Sequence, residues 1–148
     1  KQKNIFVVEL NKNNDLLVEE VPMELKDLRE AAIKFLDNGG GQGVEACTFC
    51  QGAKDPSSSD NPTKAVISLR NNRETNYSAY IAVQNELVAA YTTLRNREAQ
   101  RLFGKSFEQM EKDLKDVNYA GNKESLKEDI KKIQFMFPEK LSEAEPKK

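Results

Sequence analysis

The spacing of apolar residues changes early in the chain from a period of two to a period of three to four. Alternate positions of Ile5–Leu10 are large and apolar, and Asp15–Glu19 repeats this alternation after a polar turn. A period of two is typical of strands, so the simplest interpretation is a β-hairpin. The helical spacing of 22–37 predicts a helix with Pro22 in its first turn and a stop at Asn38-Gly39-Gly40.

The second half of the chain predicts one more strand and three helices. Ala65–Leu69 is a short apolar strand, followed by a polar turn and a helix that begins near Asn76 and ends at Gly104. Another helix starts with the capping-box spacing 106–109, and a last one covers about 123–135. The long helix is expected to turn one row of apolar residues toward the core: Tyr77, Tyr80, Ile81, Leu87, Val88, Tyr91, Leu94 and Leu102.

These elements predict one α+β domain with a small mixed β-sheet, covering residues 1–148. Its expected core is Phe6, Val8, Leu16, Val18, Leu28, Phe35, Ile67, Leu69, Ile81 and Leu87. The third helix is expected to bury Phe107, Met110, Leu114 and Val117. The polar stretch 140–145 shows neither period, so the pattern alone leaves it as a C-terminal tail.

Residues 39–63 differ in composition from the rest of the chain. They hold five of the seven glycines, two of the five prolines and few apolar residues. A connection of this length is uncommon inside a compact domain, and it is usually functional or mobile. We expect a flexible insertion loop, because little apolar area is available to offset the entropy of ordering it.

Composition argues against several classes of function. The 23 basic and 24 acidic residues nearly cancel, so no overall field attracts nucleic acid. The absence of histidine removes the commonest general base and the commonest metal ligand. The chain opens at Lys1 without an initiator methionine, and we expect it to be a fragment of a longer protein. The expectation is a protein that is not an enzyme and needs no cofactor or metal.

The two cysteines form a Cys-x-x-Cys motif, Cys47-Thr48-Phe49-Cys50. A closed zinc site needs four ligands, and two cysteines without histidine supply too few. A thioredoxin-like pair is followed by a helix that lowers the thiol pKa, whereas this pair lies in the glycine-rich loop. The favoured interpretation is a local disulfide in an oxidising compartment, and thiol-redox chemistry is the alternative.

Arg70 and Arg73 flank an Asn-Asn turn after the third predicted strand. A guanidinium group binds a carboxylate with two parallel hydrogen bonds, so these arginines are candidates for contact with a peptide carboxylate or the peptide stem of a glycan. An exposed turn with ordinary solubilising charge explains the same residues, and it is the preferred interpretation.

The chain resembles the periplasmic domains of the ExbD/TolR family, small inner-membrane proteins of proton-driven energy-transducing complexes. The resemblance covers most of the chain and begins with the order hairpin, helix, strand, turn, helix. In Val66–Tyr91 an apolar strand ends at Arg70 and a helix opens with Tyr77, as in the family. The ending 137–146, with LLVEE (16–20) and NELVAAY (85–91), looks like the subgroup of Bacteroides-type bacteria.

The resemblance implies further features of the fold. The family has a small sheet with two main helices packed on one face, ends in a strand and dimerises. Lys140–Glu145 would then be that strand, with Leu141 at the pairing edge. Two stretches depart from the family: 39–63 looks like an insertion, and 103–136 adds an extra C-terminal helical segment.

The resemblance also implies a location and partners. The domain would lie in the periplasm, anchored to the inner membrane by one transmembrane helix outside this sequence. Its partners would be a polytopic proton-channel subunit of ExbB/TolQ type, a TonB-like protein and a second copy of itself, and the complex would power outer-membrane transport. The alternatives are a TolR-like module that binds peptidoglycan and, less favoured, a thiol-redox protein.

Overall fold

The computed structural model describes residues 2–144, which form a five-stranded sheet and four α-helices. The strands are β1 (Ile5–Leu10), β2 (Leu16–Val18), β3 (Val21–Pro22), β4 (Val66–Asn71) and β5 (Leu141–Ala144). The helices are α1 (Leu25–Leu36), α2 (Tyr77–Phe103), α3 (Phe107–Lys115) and α4 (Lys123–Met136). The sheet order is β3-β2-β1-β4-β5, with antiparallel pairs among β1, β2 and β3 and parallel pairs of β4 with β1 and β5. The predicted α+β class with a small mixed sheet is confirmed.

One face of the sheet is buried and the other is partly open. Phe6, Val8 and Leu10 of β1 are buried, whereas the residues between them are partly exposed. Side chains alternate between the two faces of a strand, so these three lie on the same face. They form one core with side chains of α1 and α2. The two main helices therefore pack on one face of the sheet, as expected.

This core contains every predicted core residue except Ile81. Ile81 is partly exposed, and Tyr77 and Val88, which were predicted to face the core in the same row of α2, are 76% and 37% exposed. The residues that α2 buries in this core are Val83, Leu87, Ala90, Tyr91 and Leu94. The prediction was wrong for these three because α2 carries apolar residues over a wider arc than it buries, and periodicity alone does not tell which part of the arc faces the sheet.

The first helix begins later than predicted. α1 starts at Leu25, and Pro22 lies in β3, where it pairs with Leu17 of β2. The predicted place of Pro22 in the first helical turn was therefore wrong. Proline has no N–H to donate, which suits a short edge strand as well as it suits a helix start, so the residue type did not separate the two.

The polar stretch that the pattern left as a tail contains a strand. Leu141–Ala144 pairs parallel with β4, and the Ile67 N–H donates to the Lys140 carbonyl oxygen at 3.0 Å. The interpretation of 140–145 as a tail was therefore wrong, although residue 145 lies outside the described residues. Leu141 is the one residue of β5 that packs on the core among those whose side chains are described, and so short a strand shows no period of two.

The C-terminal half of α2 builds a second, smaller core with α3 and α4. Its buried residues are Ala99, Phe107, Met110, Leu126, Ile130 and Ile133. This is the extra C-terminal helical segment expected from the sequence. Val117 is 89% exposed rather than buried, because α3 ends at Lys115 before reaching it. Among the described residues, none of the helices combines the length and the apolar character needed to cross a bilayer.

The turn between β2 and β3 holds two glutamates in a left-handed backbone conformation. The angle φ is 50° at Glu19 and 68° at Glu20, as in a two-residue hairpin turn of type I′. A non-glycine residue loses roughly 1–2 kcal/mol in this conformation. We expect Glu20→Gly to raise the free energy of unfolding by about 0.5–1 kcal/mol in urea denaturation, because relief of strain exceeds the cost of a more flexible unfolded chain.

The same substitution at Glu30 is a matched control. Glu30 is exposed inside α1, where glycine lowers helix stability by about 1 kcal/mol. The two variants should therefore shift the urea midpoint in opposite directions. A loss of stability in both would show that the Glu20 side chain contributes more than its backbone strain costs.

Candidate functional site

Cys47 and Cys50 are joined by a disulfide, and both residues are buried. Phe49, between them, packs edge-on against the buried ring of Phe137, with ring centroids 5.3 Å apart. A side chain at Gly39 would place its Cβ 2.7 Å from Cys50 Cβ, so glycine is needed for this close approach. The disulfide loop is therefore packed tightly between the end of α1 and the segment after α4.

Residues 39–63 are held mainly by polar contacts. The side-chain amide of Asn38 donates to the carbonyl oxygens of Asp55 and Ser59 at 2.9 and 2.8 Å, and its oxygen accepts from the Asp55 N–H at 3.0 Å. Asp60 accepts from Lys3 Nζ at 2.9 Å and Asn4 Nδ2 at 3.2 Å, and these bonds lower the pKa of its carboxyl. Such contacts are not visible as apolar periodicity. The expected mobility of this segment stays a prediction.

A charged cluster lies beside the disulfide loop. Arg97 donates two hydrogen bonds to Asp37, at 2.7 and 3.0 Å, and one to Glu98 at 2.9 Å. Its Nη2 lies 3.4 Å from the Phe49 carbonyl oxygen, and its guanidinium carbon lies 5.8 Å from the centre of the Phe137 ring. Burial acts to lower the pKa of Arg97, but its bonds to the two carboxylates outweigh burial and raise that pKa above its usual value.

A cleft of about 720 Å³ opens between α1 and residues 51–58. Part of its wall is formed by the stacked rings of Phe6 and Phe35, whose centroids are 5.0 Å apart. Lys34 and Asp55 both line it, so the cleft offers charges of both signs. Its volume suits a small molecule, and its mixed charge favours neither an anion nor a cation.

The two candidate arginines do not come together. Arg70 lies on the partly open face of the sheet, directly opposite Glu9 of β1, and lines a pocket of about 90 Å³ with Asn71 and Asn72. Arg73 is exposed in the following turn and does not line this pocket. A bidentate site shared by both arginines is therefore not formed, and Arg70 is the better placed of the two.

The candidate residue Leu141 lies on an open edge of the sheet. The Ile67 N–H bonds to the Lys140 carbonyl across the parallel ladder, so this carbonyl and the backbone groups of Ser142 face β4. The N–H and C=O groups of Leu141 and Glu143 then point away from the sheet. Within residues 2–144, no strand pairs with this side of β5. The opposite edge, β3, has two residues and contains a proline, which makes it a poor template for pairing.

One row of α2 lies along β5. The Tyr91 hydroxyl accepts from the Lys140 N–H at 3.1 Å, and Gln84 Nε2 donates to a carboxylate oxygen of Glu143 at 3.0 Å. Burial, reinforced by Glu143, raises the pKa of Tyr80 to about 12. These contacts fix α2 beside the edge strand.

The next row around α2 carries three apolar residues that are exposed or partly exposed: Tyr77, Ile81 and Val88. At 100° per residue, these three lie within about 40° of one another and next to the row that contacts β5. We call them the apolar stripe. Tyr77 is 76% exposed, and its ring lies 6.5 Å from that of Tyr80. An open strand edge and an apolar stripe therefore lie side by side.

Sequence reasoning missed both the apolar stripe and the charged cluster. The stripe had a signal, since α2 has more apolar residues than one buried face needs. The charged cluster had a different signal. Glu98 follows Leu94 by four positions on the buried side of α2, and arginines lie at 97 and 101. An acidic residue at a core position of a helix indicates a buried ion pair.

No protein-family model matches the chain, and no curated protein matches it. The resemblance to the ExbD/TolR family therefore rests on the residues quoted above. In the part of the chain that the structure describes, no three cysteine or acidic side chains come together as a metal site. The described residues 51–65, which follow Cys50, contain no helix that would lower a thiol pKa.

Proposed function

We propose that this chain is the periplasmic domain of an accessory subunit of an energy-transducing complex of ExbB–ExbD–TonB type, and that it acts by binding rather than by catalysis. The subunit works with a polytopic proton-channel protein of the inner membrane. Its domain pairs with a second copy and contacts a TonB-like protein to power outer-membrane transport. The observation that carries the proposal is the open edge of β5 beside the apolar stripe.

The outer edge of β5 suits the addition of an extended strand. The outward N–H and C=O groups of Leu141 and Glu143 supply main-chain hydrogen bonds, which give affinity with little regard to sequence. The apolar stripe of Tyr77, Ile81 and Val88 supplies contact for side chains of the added strand. Tethering two domains to a membrane raises their effective concentration to about millimolar, so a contact that is weak in solution still forms there.

The test is an NMR titration of the ¹⁵N-labelled domain. It is titrated first with unlabelled domain up to about 1 mM and then with the periplasmic part of a TonB-like protein. We expect shifts at Leu141–Ala144 and at Tyr77. Glu143→Pro removes one outward N–H and keeps the ladder bond of Ser142, so it should abolish these shifts. Glu143→Ala removes the same side chain but keeps the N–H, and it should retain them.

A second pair of variants tests the apolar stripe. Tyr77→Ala should weaken binding. Phe135→Ala is the control and should not, because Phe135 is as exposed as Tyr77, at 77%, but lies on α4, outside the apolar stripe. Equal effects of Glu143→Pro and Glu143→Ala on the shifts would contradict strand addition. Absence of any shift with both additions would contradict the proposal as a whole.

Binding of peptidoglycan is a second candidate, favoured by the pocket at Arg70. Arg70 lines this pocket with Asn71, Asn72 and Glu9, and a guanidinium group is suited to a peptide carboxylate, which would compete with Glu9 for it. Soluble cell-wall fragments added to the labelled domain should then shift residues 70–72 and leave β5 unchanged. Arg70→Gln should remove this effect, and Arg73→Gln should not, because Arg73 lies outside the pocket.

A further inference from the structure

We propose that the Cys47–Cys50 disulfide controls how firmly β5 is held, so that a thiol–disulfide couple regulates the partner edge. This inference rests on the proposed use of that edge in binding. The contacts that carry it run from the disulfide through Phe49 and Phe137 to the start of β5.

The first step joins the disulfide to Phe137. The bond between Cys47 and Cys50 fixes the backbone around Phe49, whose ring packs against Phe137 at 5.3 Å. The Phe49 carbonyl oxygen is held by Arg97 at 3.4 Å. Phe137 is fully buried, so the ring of Phe49 forms part of the wall that encloses it.

The second step joins Phe137 to β5. Phe137 directly follows α4, and its carbonyl oxygen accepts from Arg95 Nε at 3.0 Å. Three residues later, the Lys140 N–H donates to the Tyr91 hydroxyl, and the Lys140 carbonyl oxygen accepts from the Ile67 N–H. The second of these bonds begins the β4–β5 ladder. Phe137 therefore fixes the position from which β5 begins.

Reduction would disturb this arrangement for a steric reason. A dithiol gives two electrons and two protons to the Cys47–Cys50 bond, becomes a disulfide itself and leaves two thiols. Nonbonded sulfur atoms lie much farther apart than bonded ones. Gly39 already lies against Cys50 so closely that an added Cβ would clash. Because Gly39 blocks one side, we expect the loop to shift away from Gly39 and to carry Phe49 with it.

The experiment compares amide hydrogen exchange in the oxidised protein and in the protein reduced with dithiothreitol, with no partner present. We expect exchange to rise about tenfold at Ser142, whose N–H faces β4, and at residues 47–53. Exchange at Val8 and Leu28 in the main core should not change. Oxidised Phe49→Ala should reproduce the rise at Ser142, whereas Thr48→Ala, an exposed position in the same loop, should not.

Mass spectrometry verifies reduction as a gain of two hydrogens. If the reduced protein then shows unchanged exchange at Ser142, the proposal is overturned. An equal rise at Leu28 would also overturn it, because reduction would then destabilise the whole domain. Reduction of the unaltered protein decides the question even where Phe49→Ala fails to fold. Hydrogen exchange is measured without a partner. A titration that shows no strand addition would therefore contradict the proposed function without deciding whether the disulfide controls β5.

Discussion

Leu28→Ala should lower the free energy of unfolding by about 2–5 kcal/mol, because truncation of a buried leucine loses its transfer free energy and leaves a cavity. Leu28 is fully buried in α1 and lies in the core that joins α1 and α2 to the sheet. The measurement is urea denaturation followed by circular dichroism, with the midpoint and slope fitted separately.

Leu25→Ala is the matched control on the same helix. Leu25 is 41% exposed, so the same substitution removes less buried surface and should cost less than about 1 kcal/mol. Equal losses at the two positions would mean that α1 does not pack on the sheet through Leu28. A change in slope with Leu28→Ala would indicate that the main core and the second core no longer unfold together.

The main elements of this fold were predictable because they bury residues in regular patterns. The alternation in Ile5–Leu10 and the stripe through Leu28 and Leu36 each match one buried face. Gly104 adopts φ of 75° at the end of α2, and the side chain of Ser106 caps α3 by accepting from the Gln109 N–H. Such local signals depend on few neighbours, so the sequence contains them in full.

The errors share one physical cause, which is that tertiary contacts decided the structure. Pro22 entered a strand because Leu17 pairs with it, and β5 formed because Ile67 and Tyr91 bind the Lys140 backbone. The Lys140 contacts join distant parts of the sequence, and the pairing of Leu17 with Pro22, although close in sequence, depends on β2 being held in the sheet by β1. The exposed position of Ile81 likewise depends on where α2 meets the sheet, which helical periodicity does not fix.

The candidate sites were predictable only as residue types. The motif at Cys47 and Cys50 indicated a disulfide, but not that Phe49 would pack against Phe137, 88 positions later in the sequence (137 − 49). Arg70 and Arg73 are close in sequence, yet only Arg70 lines the pocket, because Arg70 lies in β4 whereas Arg73 lies in the exposed turn after it. Sequence proximity therefore identified candidates without showing which of them converge.

Arg97→Met should lower the free energy of unfolding by about 3 kcal/mol, near the lower end of the cost of breaking a buried ion pair. Asp37 is 5% exposed. Among the described residues, only Arg97 donates a hydrogen bond to its carboxylate. Methionine retains the apolar contact with Phe137 but leaves this carboxylate buried without a partner. The Arg97 side chain is itself 27% exposed, so solvent reaches part of the site and moderates the cost.

Two further variants separate the unpaired charge from lost packing. Arg101→Met should cost about 1 kcal/mol or less, because the Arg101 side chain is 49% exposed and Glu98 keeps its bond to Arg97. Adding Asp37→Asn to Arg97→Met should restore part of the loss in a double-mutant cycle, since the buried negative charge is then absent. If the double variant is as unstable as the sum of the two single variants, the Arg97–Asp37 pair does not act as a unit, and packing against Phe49 and Phe137 accounts for the effect of Arg97.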